Sequence, residues 1–368
     1  MNEFLTSNNS LEQNAAIELH RTFIHPQILT ILATYKCTAA CENCCFGSNP
    51  FLTKRISLED IKSFIEEGLR FQFLKLVVFS GGECFLLGDD LVEAVRFASE
   101  KGMRTRCVTN GYWAVSMEAG RRRLQELKKA GLNELNVSTG DFHQKWVPEQ
   151  SVVNAACLGI ELEMDSTLIM VELQKKRRVT AASLLKNQYL KRLWDSTSRE
   201  KFQIIQSPWM PMLVDEVIDQ PDGLMLNKNN LNRKKGCDSI FSTAVITPDN
   251  QVGLCCGLTR EQIPELSITW KKGYLEQQIE EATKDFIKIW IYVDGPEKIL
   301  AWAASKNPEI EWENRYAHHC HVCLRLFKDS LVQDTILKHY RERIEDVLWR
   351  YNLSLQKQEF LELNGKFV

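Results

Sequence analysis

The chain alternates between strand-like and helix-like stretches from Ile28 onward, and this order limits the folds open to it. Apolar stretches rich in β-branched and aromatic residues predict six strands, at 28–35, 74–79, 105–109, 134–138, 166–171 and 202–206. Stretches with helical spacing of apolar residues lie between them, at 57–71, 89–101, 117–130, 148–158 and 181–193. Because strands joined through helices pair in parallel, the order predicts an α/β fold. Its parallel sheet would curl toward a partial (β/α)6 barrel with helices outside.

Local signals mark several helix ends. Ser57 stands where an N-cap is expected, and Pro148 suits a first helical turn. Gly102 and Gly131 follow predicted helices at positions where a left-handed C-cap is expected. Ligands of such folds bind at the carboxyl ends of the strands, so residues that follow each strand are the first site candidates.

Three cysteines follow the first predicted strand at such an end. Cys37, Cys41 and Cys44 have the spacing CxxxCxxC. Thiolates on one tight loop are soft ligands for zinc or for an iron–sulfur cluster. Sites of either kind normally take four protein ligands, so three in one loop predict an open coordination position. A structural zinc loop, or three unrelated core cysteines, is the alternative.

Polar residues end the later predicted strands. Gly81, Gly82 and Glu83 follow the second strand, where two glycines allow close backbone approach and the carboxylate can pair with an ammonium group. An ordinary strand-to-helix turn is the alternative for this stretch, and backbone capping is the alternative for the others. The other polar candidates at or near strand ends are Asn110, Asn136, Ser138 and Gln206.

The cysteine stretch resembles the signature of radical S-adenosylmethionine (SAM) enzymes, and the Gly-Gly-Glu stretch resembles their GGE motif. The resemblance covers residues 28–210 and implies that Cys37, Cys41 and Cys44 hold a [4Fe–4S] cluster whose remaining iron binds SAM. It further implies reductive cleavage of SAM to methionine and a 5′-deoxyadenosyl radical, which abstracts hydrogen from a substrate. The fold implied is the partial (β/α)6 barrel already predicted.

The resemblance also implies roles for the polar strand ends. Gly81, Gly82 and Glu83 would bind the SAM amino group. The SAM ribose or carboxylate would contact Asn110, Asn136 and Ser138, and Gln206 and Ser207 would contact SAM or the substrate. Relatives often carry an aromatic residue just before the third cysteine, where it packs on adenine, but here that residue is Asn43. Adenine would therefore be contacted from elsewhere, with Tyr35, Phe46 and Trp113 as candidates.

Three further residues are candidates for catalysis. Asp141 and His143 lie in the loop after the fourth predicted strand, where either could exchange a proton with the substrate. A loop histidine with ordinary hydrogen-bond partners is the alternative for His143. Cys84 adjoins the Gly-Gly-Glu stretch and is a candidate hydrogen-atom donor, with packing in the core as its alternative.

A second cysteine set lies in the last third of the chain. The residues 244–255 read as a short hairpin with Asp249 and Asn250 at the turn. This part resembles the SPASM or twitch extension of radical SAM enzymes, which implies an auxiliary [4Fe–4S] cluster. Zinc on the same thiolates is the alternative, and His318, His319 and His321 could replace one cysteine. The four predicted ligands are Cys237, Cys255, Cys320 and Cys323, with Cys256 as a spare.

Composition bounds the remaining questions. The chain has 368 residues, 44% of them hydrophobic and 26% charged, with a net charge of −2, so nothing indicates a nucleic-acid or membrane partner. Twelve cysteines without a leader or a long apolar segment fit metal sites in the cytoplasm better than a disulfide framework. The predicted division is an N-terminal arm at 1–27, the barrel at 28–210, the linker and auxiliary domain at 211–328, and an amphipathic C-terminal helix at 329–368.

The resemblance implies an oxidoreductase that modifies a ribosomally made peptide, for example by a crosslink. It also implies an electron donor such as a flavodoxin or a ferredoxin. Two alternatives stay open: a radical SAM oxidase or dehydrogenase of a small molecule or protein side chain, and a non-catalytic iron–sulfur or zinc scaffold.

Overall fold

The computed structural model describes residues 24–210, 212–256 and 262–363. Most of the predicted N-terminal arm, residues 1–23, lies outside the described residues. Nine strands form one sheet within these ranges, in the order β6-β5-β4-β3-β2-β1-β7-β8-β9. The strands are β1 Ile28–Leu32, β2 Leu76–Ser80, β3 Arg104–Thr109, β4 Glu134–Thr139, β5 Ser166–Leu173, β6 Phe202–Pro208, β7 Thr243–Ile246, β8 Gln251–Gly253 and β9 Ser267–Thr269.

The first six strands confirm the predicted fold class. Each of β1 to β6 pairs in parallel with its neighbour in chain order, beginning with Ile28 opposite Leu76. The connections are helical, as the alternating pattern predicts. They are α1 Leu58–Gly68, α2 Asp89–Glu100, α3 Met117–Lys129, α4 Glu149–Glu161, α5 Ala181–Leu184 and α6 Gln188–Ser196. All six carboxyl ends therefore meet at one edge of the sheet.

The helix ends follow the local signals. Ser57 Oγ accepts a hydrogen bond from the Asp60 backbone N–H, as an N-cap does. Gly102 and Gly131 have φ of 81° and 106°, the left-handed conformation expected after a helix. The predicted single helix at 181–193 is instead two helices, because the Asn187 side chain caps a new start at Gln188.

The two faces of the parallel sheet differ in polarity. Along β5, the side chains of Thr167, Ile169 and Val171 are fully buried beneath the helices, and the intervening residues are only half-buried. Burial therefore alternates from residue to residue along β5, as expected for a strand with helices packed on one face only. The face opposite the helices bears the half-buried Ser80, Asn136, Ser138 and Glu172. A polar surface therefore lies on the sheet face that the helices leave open.

The second cysteine-bearing region begins as a continuation of the same sheet. β7 pairs in parallel with β1, and β8 and β9 add antiparallel strands beyond it. The predicted Asp249–Asn250 turn joins β7 to β8, with Asn250 at φ 56°. The predicted domain boundaries stay a prediction, but this hairpin is hydrogen-bonded to the barrel strands.

A second hydrophobic core lies beyond the hairpin, formed largely by helices. Trp290, Tyr316 and Phe241 are among its fully buried side chains. The predicted C-terminal helix is divided by a 3₁₀ turn, Tyr340–Arg343, into two α-helices. No described helix is both long and apolar enough to cross a bilayer. The helices of this region are α7 Leu275–Ala282, α8 Phe286–Asp294, α9 Pro296–Lys306, α10 His319–Lys328, α11 Ser330–His339 and α12 Ile344–Leu363.

Candidate functional site

The three-cysteine loop leaves the carboxyl end of β1 and is closed at its base by backbone pairing. The Cys37 N–H donates to the Asn49 carbonyl at 3.1 Å, and Thr34 forms a β-bridge with Arg55. Within the loop, the Cys44 N–H donates to the Cys41 carbonyl at 3.1 Å. These bonds bring the three predicted ligands together on one loop at the sheet edge.

The sulfur atoms of the loop accept hydrogen bonds from N–H groups. Cys37 Sγ accepts from the Ala39 N–H at 3.4 Å, and Cys44 Sγ accepts from the Ser48 N–H at 3.4 Å. Burial raises the pKa of Cys37 to about 11 and that of Cys41 to about 12, each further raised by neighbouring thiols. The thiols must therefore lose protons when a metal binds, as cysteine ligands do.

The chemistry of the loop fits the predicted cluster. Cysteine thiolates are the usual ligands of [4Fe–4S] clusters, in which each cysteine binds a different iron. Three cysteines leave one iron of such a cluster without a protein ligand, whereas a structural zinc ion normally takes four protein ligands. The donor set of Cys37, Cys41 and Cys44 therefore fits the predicted cluster.

The two glycines after β2 lie flat against the segment that leads into the cysteine loop. The Gly82 N–H donates to the Thr34 carbonyl at 2.6 Å, and the Glu83 N–H donates to the Lys36 carbonyl at 3.0 Å. A Cβ at Gly81 would lie 2.6 Å from the Thr34 carbonyl oxygen, and one at Gly82 would lie 2.3 Å from that of Lys36. Both positions therefore require glycine for close backbone approach.

The Glu83 carboxylate lies inside the protein, where other protein groups occupy both of its oxygens. Its Oε1 accepts from the Thr109 hydroxyl at 2.8 Å and from the Phe85 N–H at 3.1 Å, and its Oε2 accepts from the Asn110 N–H at 2.8 Å. Burial raises the pKa of Glu83 to about 7. These bonds join the end of β3 to the glycine turn, and the pairing of Glu83 with an ammonium group stays a prediction.

The remaining predicted SAM contacts divide between the two sheet faces. Asn136 and Ser138 are half-buried on the open polar face. Gln206 is exposed and shares the helix-covered face of β6 with the buried Phe202, so it does not join them. Asn110 is buried, and its amide points toward the cysteine loop, with Nδ2 3.0 Å from Thr38 Oγ1.

The two candidate proton-transfer residues have different surroundings. The Asp141 carboxylate accepts hydrogen bonds from the Arg178 and Val179 backbone N–H groups at 2.9–3.1 Å, which anchors the segment after β5. His143 Nδ1 lies 3.0 Å from Glu172 Oε1. A histidine beside a carboxylate donates its Nδ1 proton to it, which leaves Nε2 as an acceptor. The Asp141 carboxylate is thus bonded to backbone N–H groups, and the His143 ring is held by a carboxylate.

Glu172, at the end of β5, is a site residue that sequence reasoning missed. Its Oε1 also accepts from Asn43 Nδ2 at 2.9 Å, so it joins the cysteine loop to the loop after β4. A Cβ at Gly140 would lie 2.1 Å from its Oε2, so glycine is required there. Its position as an acidic residue at the carboxyl end of a predicted strand was the available signal. Relatives often carry an aromatic residue at the position of Asn43, and here the asparagine instead makes a hydrogen bond to Glu172.

Cys84 and Trp113 both lie in the core and not on the open face. The Cys84 side chain is fully buried, and its thiol lies 3.4 Å from the Val108 carbonyl. Burial, followed by the adjacent Cys107, raises the pKa of Cys84. Trp113 stacks on Phe85 with ring centroids 4.5 Å apart and donates from Nε1 to Thr109 Oγ1. The packing alternative therefore accounts for Cys84, and Trp113 is not placed to meet adenine.

The four predicted auxiliary ligands converge from three segments. The Cys237 N–H donates to the Ile291 carbonyl at 3.0 Å, beside Gly236, whose Cβ would clash with the Tyr292 carbonyl. Cys255 follows β8, and Cys320 and Cys323 lie in α10. Burial raises the pKa of Cys320 most. The nearby thiols of Cys255, Cys323, Cys256 and Cys237 raise it further. The thiols are therefore neighbours, as the second cysteine set predicts.

Two histidines adjoin this second set. His318, His319 and Cys320 are a described group whose ligand atoms all lie within 4.8 Å of one another. His318 Nδ1 accepts the Cys320 N–H at 3.1 Å, which leaves its other nitrogen available, and the two rings stack 4.7 Å apart. A single ion with mixed ligands is therefore a geometric alternative to a four-cysteine cluster here.

The segment that leads into β9 contacts the cysteine loop. Gln262 Nε2 donates to the Cys45 carbonyl at 2.8 Å, next to Cys44. Burial raises the pKa of Cys45 to about 12, with Cys256 as one further contributor. The hairpin turn adds another contact, since Asp249 accepts from the Tyr35 hydroxyl at 2.9 Å and pairs with Lys54.

The protein is an α/β protein whose parallel sheet carries three thiols at the carboxyl edge. Residues 31–150 match the family model of the Radical SAM superfamily, the family that the cysteine motif resembles. YydG, a putative peptide biosynthesis protein of Bacillus subtilis (strain 168), is 26% identical over 119 residues. The PqqA peptide cyclase of Rhodopseudomonas palustris is 33% identical over 132 residues.

These similarities cover only part of each protein. The alignments span 32% and 35% of this chain and 37% and 32% of the two relatives, so the chain spans about a third of their length. Among solved structures, anSMEcpe with bound AdoMet and a Cp18Cys peptide aligns over 88% of this chain and 99% of its own. Its TM-score is 0.46, at 14% identity. Streptococcus suis SuiB bound to the precursor peptide SuiA aligns over 76% and 71%, with a TM-score of 0.42 and 14% identity.

Proposed function

We propose that this protein is a radical SAM enzyme that removes a hydrogen atom from a ribosomally made peptide and installs a crosslink or similar modification. The cysteine loop supports the radical SAM chemistry. It places three thiols at the carboxyl edge of a parallel sheet, and two of the sulfurs accept hydrogen bonds from backbone N–H groups. The peptide substrate is supported by the relatives, which are named for peptide biosynthesis and peptide cyclisation.

The cofactors follow from the donor sets. Cys37, Cys41 and Cys44 would hold a [4Fe–4S] cluster, and the second set would hold an auxiliary [4Fe–4S] cluster. When bound, the first cluster and SAM supply a 5′-deoxyadenosyl radical after one-electron reduction by a donor of the flavodoxin or ferredoxin type. A redox enzyme of this kind is an oxidoreductase.

The open sheet face would orient SAM. Ser80, Asn136 and Ser138 present hydroxyl and amide groups that are half-buried on this face. Half-buried polar groups without a dense internal network are suited to hydrogen-bond a polar ligand. Gly81 and Gly82 keep the backbone of the β2 end close to the cysteine loop, because no side chain separates the two segments.

His143 would manage a proton of the substrate. Glu172 fixes its Nδ1 at 3.0 Å and, through Asn43, ties the same carboxylate to the cysteine loop. The imidazole is therefore oriented before a substrate arrives, and its Nε2 can accept or return a proton. His143 and Glu172 are both less than a quarter exposed, which limits competition from bulk water.

The test is an anaerobic assay with reconstituted protein, SAM, a chemical reductant and the short peptides encoded beside the gene. The proposal expects 5′-deoxyadenosine and a mass change in one peptide, both abolished when the three loop cysteines are replaced by alanine. If 5′-deoxyadenosine forms while every candidate peptide keeps its mass, the peptide part is wrong, and a small-molecule oxidase is favoured. If no 5′-deoxyadenosine forms above background, the protein is a scaffold.

The proton-transfer role has a matched control. His143→Gln and Glu172→Gln should lower peptide modification at least tenfold and change the pH profile of the modification, with 5′-deoxyadenosine still formed. Gln144→Ala is the control, because this neighbouring side chain bonds to Glu149 and not to Glu172. Equal losses in all three variants would assign the effect to the loop and not to the imidazole.

A further inference from the structure

The buried Asn110 side chain donates toward the sulfur of a predicted cluster ligand. Its Nδ2 lies 3.5 Å from Cys37 Sγ and 3.0 Å from Thr38 Oγ1. Its Oδ1 accepts the Tyr112 backbone N–H at 3.0 Å. Because that N–H can only donate, the amide oxygen must face Tyr112 and the amide nitrogen must face Cys37.

The Glu83 carboxylate fixes the backbone around Asn110 by hydrogen bonds. Glu83 Oε2 accepts the Asn110 N–H at 2.8 Å, and Glu83 Oε1 accepts the Thr109 hydroxyl at 2.8 Å. The Thr109 oxygen in turn accepts from Trp113 Nε1 at 3.0 Å and from the Gly111 N–H at 3.1 Å. A buried network with every member bonded is rigid, so the amide cannot easily turn away from the sulfur.

The sulfur of Cys37 accepts one hydrogen bond more than the sulfur of Cys44 among the described contacts. Cys37 Sγ accepts one backbone N–H, from Ala39, and the Asn110 side chain in addition. Cys44 Sγ accepts the Ser48 backbone N–H. The hydrogen bond from Asn110 to Cys37 comes from a side chain outside the cysteine loop. A substitution at Asn110 can therefore remove this bond and leave the loop sequence unchanged.

We infer that Asn110 is a positioning residue whose amide N–H bond to Cys37 raises the reduction potential of the cluster that the loop would hold. The inference rests on the proposed function, since it needs that cluster. Hydrogen bonds to ligand sulfur stabilise the reduced cluster, because the added electron increases negative charge on the sulfurs. In this inference Asn110 acts on the cluster through Cys37, and its direct contact with SAM stays a prediction from the sequence.

The experiment is a redox titration monitored by electron paramagnetic resonance on anaerobically reconstituted full-length protein without SAM. The signal to follow is the one absent from the Cys37→Ala/Cys41→Ala/Cys44→Ala variant. Asn110→Ala removes the donor. Asn110→Asp also removes the donor and keeps Oδ1 for the Tyr112 N–H, but it adds a negative charge that itself lowers the potential, so Asn110→Ala isolates the effect of the hydrogen bond. Asn154→Ala is the matched control, because that buried amide donates to the Ala114 carbonyl and not to a sulfur.

The expected result is a more negative midpoint potential for both Asn110 variants, with the parent's iron content, and an unchanged midpoint for Asn154→Ala. Parent-like midpoints with full iron in both Asn110 variants would overturn the inference. If both Asn110 variants keep the parent's midpoint potential but bind SAM more weakly, Asn110 contacts SAM, as the sequence predicts, and the inference is wrong. If the parent holds no cluster that depends on the loop cysteines, the proposed function fails first and this inference fails with it.

Discussion

The two cysteine-bearing regions use the same ligand type but assemble it in different ways. The first takes Cys37, Cys41 and Cys44 from one short loop, closed by backbone pairing at its base. The second draws Cys237, Cys255 and the α10 cysteines from three segments, around a separate hydrophobic core. A loop motif is therefore readable from spacing alone, whereas the second set depends on the packing of helices that are distant in sequence.

The surroundings of the thiols differ as well. The first set faces N–H donors and a buried carboxylate, since Asn110 bonds to Cys37 and Glu83 holds Asn110. The second set adjoins histidines, and burial followed by the charge of its neighbours lowers the pKa of His318 to about 4. Neutral imidazoles are themselves metal ligands. The comparison teaches that the first region offers thiols from a single loop, whereas the second offers both thiols and imidazoles and so allows two metal arrangements.

The largest expected effect is loss of the first site. Replacing Cys37, Cys41 and Cys44 together with alanine should abolish formation of 5′-deoxyadenosine and lower bound iron from about eight to about four per chain. Iron and sulfide analysis after anaerobic reconstitution measures this. A fall from about four to none would show that the second region holds no iron–sulfur cluster.

The second prediction concerns the ligands of the other region. Cys237→Ala/Cys320→Ala should also lower iron from about eight to about four, but with SAM cleavage retained, because the first loop is intact. His318→Ala/His319→Ala is the control and should leave the metal content unchanged. Loss of one zinc ion from both double variants would instead establish the mononuclear site.

The third prediction follows from the buried carboxylate of the first region. The pKa of Glu83 is about 7 in the folded protein against an ordinary value of 4.5, so the folded state binds the extra proton between these values. The free energy of unfolding should therefore fall as the pH rises from about 4.5 to about 7, by roughly 3 kcal/mol. Urea unfolding of metal-free protein across this range measures it.

The control for this pH effect is Glu83→Gln. The variant has no carboxyl group at this position, so it should show a smaller fall over the same pH range whatever its absolute stability. Equal slopes for parent and variant would show that Glu83 is ionised in the folded state.

The fourth prediction tests the close backbone approach. Gly82→Ala should lower the free energy of unfolding by about 2 kcal/mol, because its Cβ would meet the Lys36 carbonyl oxygen at 2.3 Å. Gly102→Ala is the comparison: its φ is 81° but its Cβ would meet nothing within 4 Å, so about 1 kcal/mol is expected. Similar losses in chemical denaturation would mean that the β2 end can move away from the cysteine loop.

The smallest expected effect concerns the contact between the two regions. Asp249→Asn weakens the exposed pair with Lys54 and the bond from Tyr35, and should cost less than about 1 kcal/mol. Thermal unfolding measures the change. A loss well above this range would mean that the hairpin stabilises the cysteine loop more than an exposed pair can.

Local patterns predicted much of the barrel. All six parallel strands and the Ser57 cap were predicted, because alternating polarity and capping act within a few residues. The helix at 181–193 was predicted as one, since periodicity does not register the Asn187 cap that starts a second helix. Glu172 was missed because its partners, Asn43 and His143, come from other loops.

The sequence by itself determined that three thiols lie on one loop after the first strand, because the spacing of Cys37, Cys41 and Cys44 is a local feature. Only the tertiary structure decided what the neighbouring polar groups do. It buried Glu83 beneath the β3 end, turned the Asn110 amide toward Cys37 and gathered Cys237 with the α10 cysteines. The physical reason is that hydrogen-bond partners and burial depend on which strand ends and helices meet, and these contacts join residues far apart in the chain.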